Sequence, residues 1–212
     1  MASAVIHMAI ANEVNKKIKR NNNELLIGSI APDISKQIGE DKTRSHFLDN
    51  DDDIPNIEQF LIKYKNDLYD DFVMGYFIHL YTDYLWFKYF IPEIYNQNVV
   101  KKLDGTYIKC TGRMIDMYIY NDYSNLNIQL LDKYNMNLSI FYNSPPQFKN
   151  IIKEIPMEKI QIIIDKTSII IENTKEHKNF VFDIDNINKF ISTSTKLILA
   201  KLLELGINIS DN

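Results

Sequence analysis

The residues from Asp70 to about Phe90 form a run that is apolar nearly all round, and this run constrains the fold more than any other part of the chain. A helix that is apolar on every side belongs in the centre of a domain. The run is interrupted by His79, Asp83 and Lys88, and no window of the chain approaches eighteen uninterrupted apolar residues. The sequence therefore predicts a buried central helix rather than a membrane span.

The rest of the chain also favours helices. It has only six glycines and six prolines in 212 residues, and apolar residues recur three and four apart over long stretches. We predict one all-α domain, a multi-helix bundle over 1–212. Besides the central helix, the expected helices run from about Ala2 to Lys19, Ile57 to Tyr64, Asp122 to Tyr134, Met157 to Thr174 and Ile187 to Leu205. The run Ile160 to Ile171 is rich in β-branched residues and could be a strand, but its apolar positions repeat with the helical period, so helix is preferred.

Composition excludes several classes of function. The net charge is −4 and lysine and arginine are scattered among acidic residues, so no nucleic-acid binding and no attachment to an anionic membrane through bulk charge are expected. Cys110 is the single cysteine, which rules out an intramolecular disulfide and a cysteine-based zinc site. The first residues lack the basic segment of a signal peptide, which predicts a cytoplasmic protein.

The pair His79 and Asp83 is the strongest local signal, because residues four apart on a helix share one face. An ionised aspartate in an apolar helix is costly without a cation, and no lysine or arginine lies within one turn on its side. Two interpretations are open for this pair alone. It is either a buried hydrogen bond or part of a metal site.

Three further residues favour the metal interpretation. His7 lies on the apolar face of the first helix, Asp33 follows Pro32, and His46 precedes an apolar pair. Each alone has an ordinary structural explanation, as a core histidine, a helix cap or a boundary residue. Together, three imidazoles and two carboxylates are the donors that zinc prefers. His177 lies in a polar helix end and is left out, and the acidic loop 49–53 lacks the glycine and glutamate of an EF-hand.

These residues occur in an order that resembles the zinc-dependent phospholipase C family, an all-helical fold related to the P1-type nucleases. The matching segments are Val5-Ile6-His7, Ala31-Pro32-Asp33, Ser45-His46-Phe47 and Gly75 with His79 and Asp83, all within the first ninety residues. The resemblance implies that His46, His79 and Asp83 bind one metal. It also implies that Asp83 and His7 reach a second ion, and that Asp33 is the general base.

The chain also departs from that family. It has no histidine between Asp83 and His177, so the further zinc of the secreted enzymes is not expected, and no tryptophan precedes Trp86. Asp122 is a candidate substitute ligand, with a helix cap as the alternative. Tyrosines at 76, 81, 120 and 123 are candidates for the lining of a substrate pocket, or are packing aromatics.

The prediction is therefore a phospholipase C-like hydrolase of phosphoester bonds that is intracellular, uses one or two zinc ions, and acts on a small phosphoester or lipid without stable membrane insertion. One alternative is a phosphohydrolase of the HD type, which needs an adjacent His-Asp pair, whereas Phe47 follows His46. Another is a helical protein that binds metal without catalysis. A third is that the histidines are core groups and no metal binds.

Overall fold

The computed structural model describes residues 1–49, 54–174 and 178–210, without the side chain of Arg113. Most of the acidic loop, at 50–53, and His177 lie outside these residues. The described chain is mostly helical, as predicted. Its helices are α1 Ala4–Ile18, α2 Asn22–Gly28, α3 Ile34–Gln37, α4 Ile57–Tyr64, α5 Asp71–Leu85, α6 Ile91–Ile94, α7 Gly112–Lys133, α8 Ile160–Glu172 and α9 Ile184–Glu204.

The central helix is α5, as the sequence predicted. Asp70 caps its start by accepting bonds from two backbone N–H groups, and twelve of its fifteen residues are buried. A π-helical turn, Trp86–Phe90, follows it directly and ends where Pro92 opens α6. Helices α1, α2, α4 and α9 pack around α5, so its side chains face protein on every side. This surrounding explains why the run is apolar all round.

The crossing of α2 and α5 depends on two glycines. Gly28 and Gly75 face each other there, and a Cβ on Gly75 would collide with the carbonyl oxygen of Leu25. A Cβ on Gly28 would meet the carbonyl oxygen of Phe72 in the same way. The close approach therefore requires residues without a side chain at both positions.

A small antiparallel sheet was not predicted. It joins β1 Tyr95–Asn96, β2 Val99–Lys101 and β3 Tyr107–Lys109 in that order. The turn between the first two strands is made by Gln97 and Asn98, both with positive φ, and it lacks the glycine that would have marked it in the sequence.

The predicted start of α7 was wrong by ten residues. The helix begins at Gly112 rather than Asp122, so most of the tyrosine-rich stretch from Tyr107 to Tyr120 is helical. Its buried residues Ile115, Ile119, Tyr123, Leu126 and Leu130 follow the helical spacing, and tyrosines occupy its flanks. The many aromatic side chains in this stretch hid that period.

The last two helices match the prediction. Ile160–Glu172 is α8, so the β-branched run is a helix, with Ile163, Ile164 and Thr167 on its buried face. A capping box of Asp183 and Asn186 opens α9. Gly206, with φ +83°, follows its end. No helix in the described ranges is both long enough and apolar enough to cross a membrane.

Candidate metal centre

The structure brings together five predicted ligands from four different segments. His7 comes from α1, Asp33 from a 3-10 turn that Pro32 opens, and His46 from the loop before α4, while His79 and Asp83 share one face of α5. The three histidines and Asp83 are at most 1% exposed. The side chain of Asp33 is 13% exposed. The centre is thus almost completely inside the protein.

Asp83 lies at the middle of the group. Its Oδ1 is 3.4 Å from His7 Nε2, and its Oδ2 is 3.6 Å from His79 Nε2 and 3.8 Å from His46 Nε2. The backbone N–H of Ala2 donates to Oδ1 at 2.9 Å. Oδ2 is buried and has no hydrogen-bond partner among the described residues. One oxygen of this carboxylate is therefore satisfied, and the other is left for something else.

The imidazole of His79 is held in one tautomer. Its Nδ1 lies 2.8 Å from the carbonyl oxygen of Ser29. A carbonyl oxygen can only accept, so Nδ1 carries the hydrogen and donates it, and Nε2 of the neutral ring presents a lone pair to the centre. Burial lowers the pKa of His79 to about 3, which keeps the ring neutral.

His46 is oriented in the same way by its neighbour. Its Nδ1 lies 2.9 Å from Ser45 Oγ, and the Ser45 hydroxyl in turn donates to the carbonyl oxygen of Lys42. Because that hydroxyl hydrogen is already used, Ser45 Oγ accepts from His46 Nδ1. His46 Nε2 then also presents a lone pair, 3.3 Å from His79 Nε2. Two facing lone pairs repel unless a cation lies between them.

Two carboxylate oxygens complete this arrangement. Asp33 Oδ1 is 3.5 Å from His46 Nε2 and, like Asp83 Oδ2, it is buried without a hydrogen-bond partner in the described part of the chain. The four acceptor atoms are His46 Nε2, His79 Nε2, Asp33 Oδ1 and Asp83 Oδ2. Around a tetrahedral zinc with bonds of about 2.0–2.1 Å, the ligand atoms are separated by about 3.3–3.4 Å. Four of the six separations between these atoms, from 3.3 to 3.8 Å, are close to that spacing.

Both carboxylates stay ionised at neutral pH. Burial raises the pKa of Asp33, but the neighbouring side chains of His46 and His79 outweigh it, and the pKa falls to about 2. Burial likewise opposes ionisation of Asp83, and the neighbouring His7 outweighs it, so the pKa of Asp83 lies well below its usual value. The residues thus supply two negative charges and two neutral nitrogen donors, which suits a divalent cation.

His7 marks a possible second position beside the first. Its ring stacks on that of His79, with centroids 3.7 Å apart and an interplanar angle of 9°. Both of its nitrogens are buried without a hydrogen-bond partner among the described residues. His7, His79 and Asp83 form one group with metal-ligand spacing, and Asp33, His46 and His79 form another, so His79 belongs to both. Because His79 Nε2 and Asp83 Oδ2 face the first position, the second position has only His7 and the other oxygen of Asp83.

Asp122, predicted as a substitute ligand or a helix cap, is neither at the start of a helix nor among the five clustered residues. This residue lies inside α7, and its two oxygens accept bonds of 2.7 to 3.1 Å from the backbone N–H groups of Phe180, Val181 and Phe182. It belongs to neither group with metal-ligand spacing in the described ranges. Burial raises the pKa of Asp122, although these three bonds favour the ionised form. Asp122 fastens the segment that leads into α9 to the middle of α7.

A cavity of about 330 Å³ opens beside the centre, between the start of α1 and helices α3, α7 and α8. Asp33 is the one of the five clustered residues that lines it. Tyr120 and Tyr123, two of the four candidate pocket tyrosines, line it as well. The other two candidates do not, because Tyr76 is buried and donates to the carbonyl oxygen of Ser45, and Tyr81 lines a separate cavity near α4.

Sequence reasoning missed the groups that orient the ligands. The Ser29 carbonyl, the Ser45 hydroxyl and the Ala2 amide were not singled out, and only the position of Ser45 next to His46 offered a local signal. No family model, curated protein or solved structure matches this chain.

Proposed function

We propose that this chain is a metal-dependent hydrolase of phosphoester bonds, with one zinc ion held by Asp33, His46, His79 and Asp83. The observation that carries the proposal is the set of four acceptor atoms that face one another without a donor hydrogen among them. A cation satisfies all four at once. The ordered resemblance to the zinc-dependent phospholipase C family supports the same reaction class, and a second ion at His7 and Asp83 belongs to that wider proposal.

When bound, the ion supplies positive charge that lowers the pKa of a water molecule and stabilises the charge of a phosphate group. Asp33 accepts the proton of the attacking water in this proposal. It is suited to that role because it is ionised at neutral pH and because it alone of the five residues lines the cavity. Ser29 and Ser45 hold the two imidazoles with their Nε2 atoms directed at the centre.

One observation favours a second function, a structural metal site without catalysis. Four protein ligands fill a tetrahedral shell, and closed shells are typical of structural zinc sites, whereas catalytic sites keep one position open. In the catalytic proposal Asp33 both contacts the ion and accepts a proton from water. In the structural one it is only a ligand. The substitution Asp33→Asn separates the two, because an amide can still offer an oxygen donor but accepts no proton.

The experiment compares wild type, Asp33→Asn and Asp132→Asn, a matched change at an exposed site on α7. Metal content is measured in protein purified without chelator, and hydrolysis is measured with bis(4-nitrophenyl) phosphate and added zinc. We expect about one zinc per chain, and a rate at least about 100-fold lower in Asp33→Asn than in the other two proteins. Bound zinc with no turnover in any of them would establish the structural function. Absence of stoichiometric metal and of a thermal shift with zinc would refute both.

A further inference from the structure

The exposed surface of the cavity beside the centre is mainly apolar, although Ser3, Gln37, Ser124 and Asn173 also line it. Its surface is formed by Ala4 of α1, the rings of Tyr120 and Tyr123, and Ile163 and Ile170 of α8. Asp33 and Lys36 lie one turn apart at one side. The ammonium of Lys36 is exposed and is held 2.7 Å from the hydroxyl of Tyr120. The positive charge of Lys36 can attract an anion to this side, and the rest of the cavity can accommodate an apolar group.

Asn127 is a polar residue of the cavity wall whose side-chain oxygen is unpaired within the described part of the chain. It is 1% exposed, it lines the cavity, and its Oδ1 is buried with no hydrogen-bond partner among the described residues. Thr167 lies in the same wall and donates its hydroxyl hydrogen to the carbonyl oxygen of Ile163. Both oxygens therefore present lone pairs. A buried acceptor that stays unpaired is costly, so this wall is suited to a ligand that brings a donor.

We propose that this cavity is the subsite for the organic group of the substrate, and that Asn127 selects an apolar group carrying one hydroxyl or N–H donor. The proposal rests on the proposed function in taking the ligand to be a phosphoester. The phosphate lies toward Asp33 and Lys36, the apolar body contacts Ile163, Ile170 and the tyrosine rings, and the donor bonds to Asn127 Oδ1. An organic group of the same shape without a donor leaves that oxygen unpaired.

The test measures binding of two small probes, 4-phenyl-1-butanol and its methyl ether, to metal-free protein by ligand-detected NMR. The two share a ring and a chain, but only the alcohol can donate. We expect wild type to prefer the alcohol by about fivefold, the effect of one buried hydrogen bond. Asn127→Leu should lose this preference. Gln129→Leu, the same kind of change at an exposed position of α7, should keep it.

A second variant keeps the test decisive if Asn127→Leu does not fold. Ile170→Trp, at a half-exposed position of the cavity wall, should weaken both probes together at an unchanged melting temperature. Equal binding of alcohol and ether to wild type would overturn the proposal, as would binding that Ile170→Trp leaves unaffected or a preference that survives in Asn127→Leu.

The outcome is separable from that of the hydrolase proposal, because probe binding needs neither metal nor turnover. If the protein prefers the alcohol but hydrolyses no phosphoester, the proposed subsite is supported and the hydrolase proposal is refuted. Hydrolysis of phosphoesters by a protein that binds both probes equally removes the subsite alone.

Discussion

At the scale of single residues, the ring hydrogens of two histidines are donated to partners outside the centre. His79 gives its ring hydrogen to Ser29, and His46 gives its own to Ser45. Neither nitrogen that faces the carboxylates has a hydrogen left to offer. Because partners outside the centre determine this, they should control metal affinity although they do not touch the ion.

Replacing Ser45 by alanine tests that control. Ser45→Ala removes the acceptor that holds His46 in its tautomer, and we expect zinc affinity to fall by about 10-fold to 100-fold. Ser168→Ala is the matched control, because the Ser168 hydroxyl also donates to a carbonyl oxygen three residues earlier but lies on the exposed side of α8. Zinc affinity is measured by competition with a chelator. Equal affinity in both variants would contradict the role given to Ser45.

The pKa shifts predict how the metal-free protein responds to acid. The folded pKa of His79, about 3, lies below its ordinary value of 6.5, so unfolded chains bind the proton first and stability falls as pH drops from 6.5 toward 3. Asp33 contributes stability above pH 3.8 that is lost as pH falls toward its folded pKa of about 2. The urea midpoint should therefore fall between pH 7 and pH 5, before the carboxylates matter. In His79→Gln this first decrease should be smaller, and an unchanged slope would contradict the assignment.

At the scale of the helices, the ligands are positioned by how closely the elements approach one another. Gly28 and Gly75 let α2 lie against α5, and this contact brings the carbonyl oxygen of Ser29, just after α2, to within 2.8 Å of His79 Nδ1. The geometry of the centre thus depends on packing between α2 and α5. Of these two helices only α5 contributes ligands, namely His79 and Asp83.

Gly75→Ala should separate these helices. Its new Cβ collides with backbone, which cannot move aside as a side chain can, so we expect a loss of about 2 kcal/mol or more in the free energy of unfolding. Gly112→Ala is the control, because a Cβ there meets nothing within 4 Å and alanine should be neutral or slightly stabilising. Chemical denaturation measures both. Equal stability of the two variants would show that the crossing relaxes easily.

Asp122 connects two other elements, α7 and the segment before α9. Asp122→Asn removes the charge that three backbone N–H groups contact, and we expect a loss of about 1–3 kcal/mol in the free energy of unfolding. Zinc content should be the same as in wild type and in Asp132→Asn. A variant that keeps its stability but loses zinc would restore Asp122 to the ligands.

At the scale of the whole molecule, the proposed ion acts as a link between the 3-10 turn at Asp33, the loop at His46 and α5. A ligand that binds only the folded state stabilises it by about 4 kcal/mol at 1,000 times its dissociation constant. For a chain of this size we expect removal of zinc with a chelator to lower the melting temperature by on the order of 10 °C. Calorimetry before and after zinc is restored measures this. Asp33→Asn, with a weaker ligand, should show a smaller difference.

The sequence allowed much of this architecture to be predicted. The central helix, α1, α4, α8 and α9 follow from apolar spacing, and the five clustered residues were singled out because buried histidines and aspartates need partners. The small sheet at 95–109 was missed because its turn residues Gln97 and Asn98 carry no strong sequence signal. The first half of α7 was missed because tyrosines obscured its helical period. Asp122 was misjudged because its partners, at 180–182, are distant in sequence.

The cavity and the orientation of the imidazoles were beyond sequence reasoning for the same reason. In the sequence, Asn127 looks like any other polar helix residue. The carbonyl of Ser29 is a backbone group, and a sequence pattern cannot single it out. Both acquire their roles only through contacts between segments far apart along the chain.

The five clustered side chains all lie between His7 and Asp83, whereas α7 and α8, which close the cavity, come after residue 111. Synthesis proceeds from the amino end, and N-terminal parts fold first. All five side chains are therefore synthesised before the far wall of the cavity. In the proposed function, the ion could then be bound before the substrate cavity is complete, through a side that the finished protein closes.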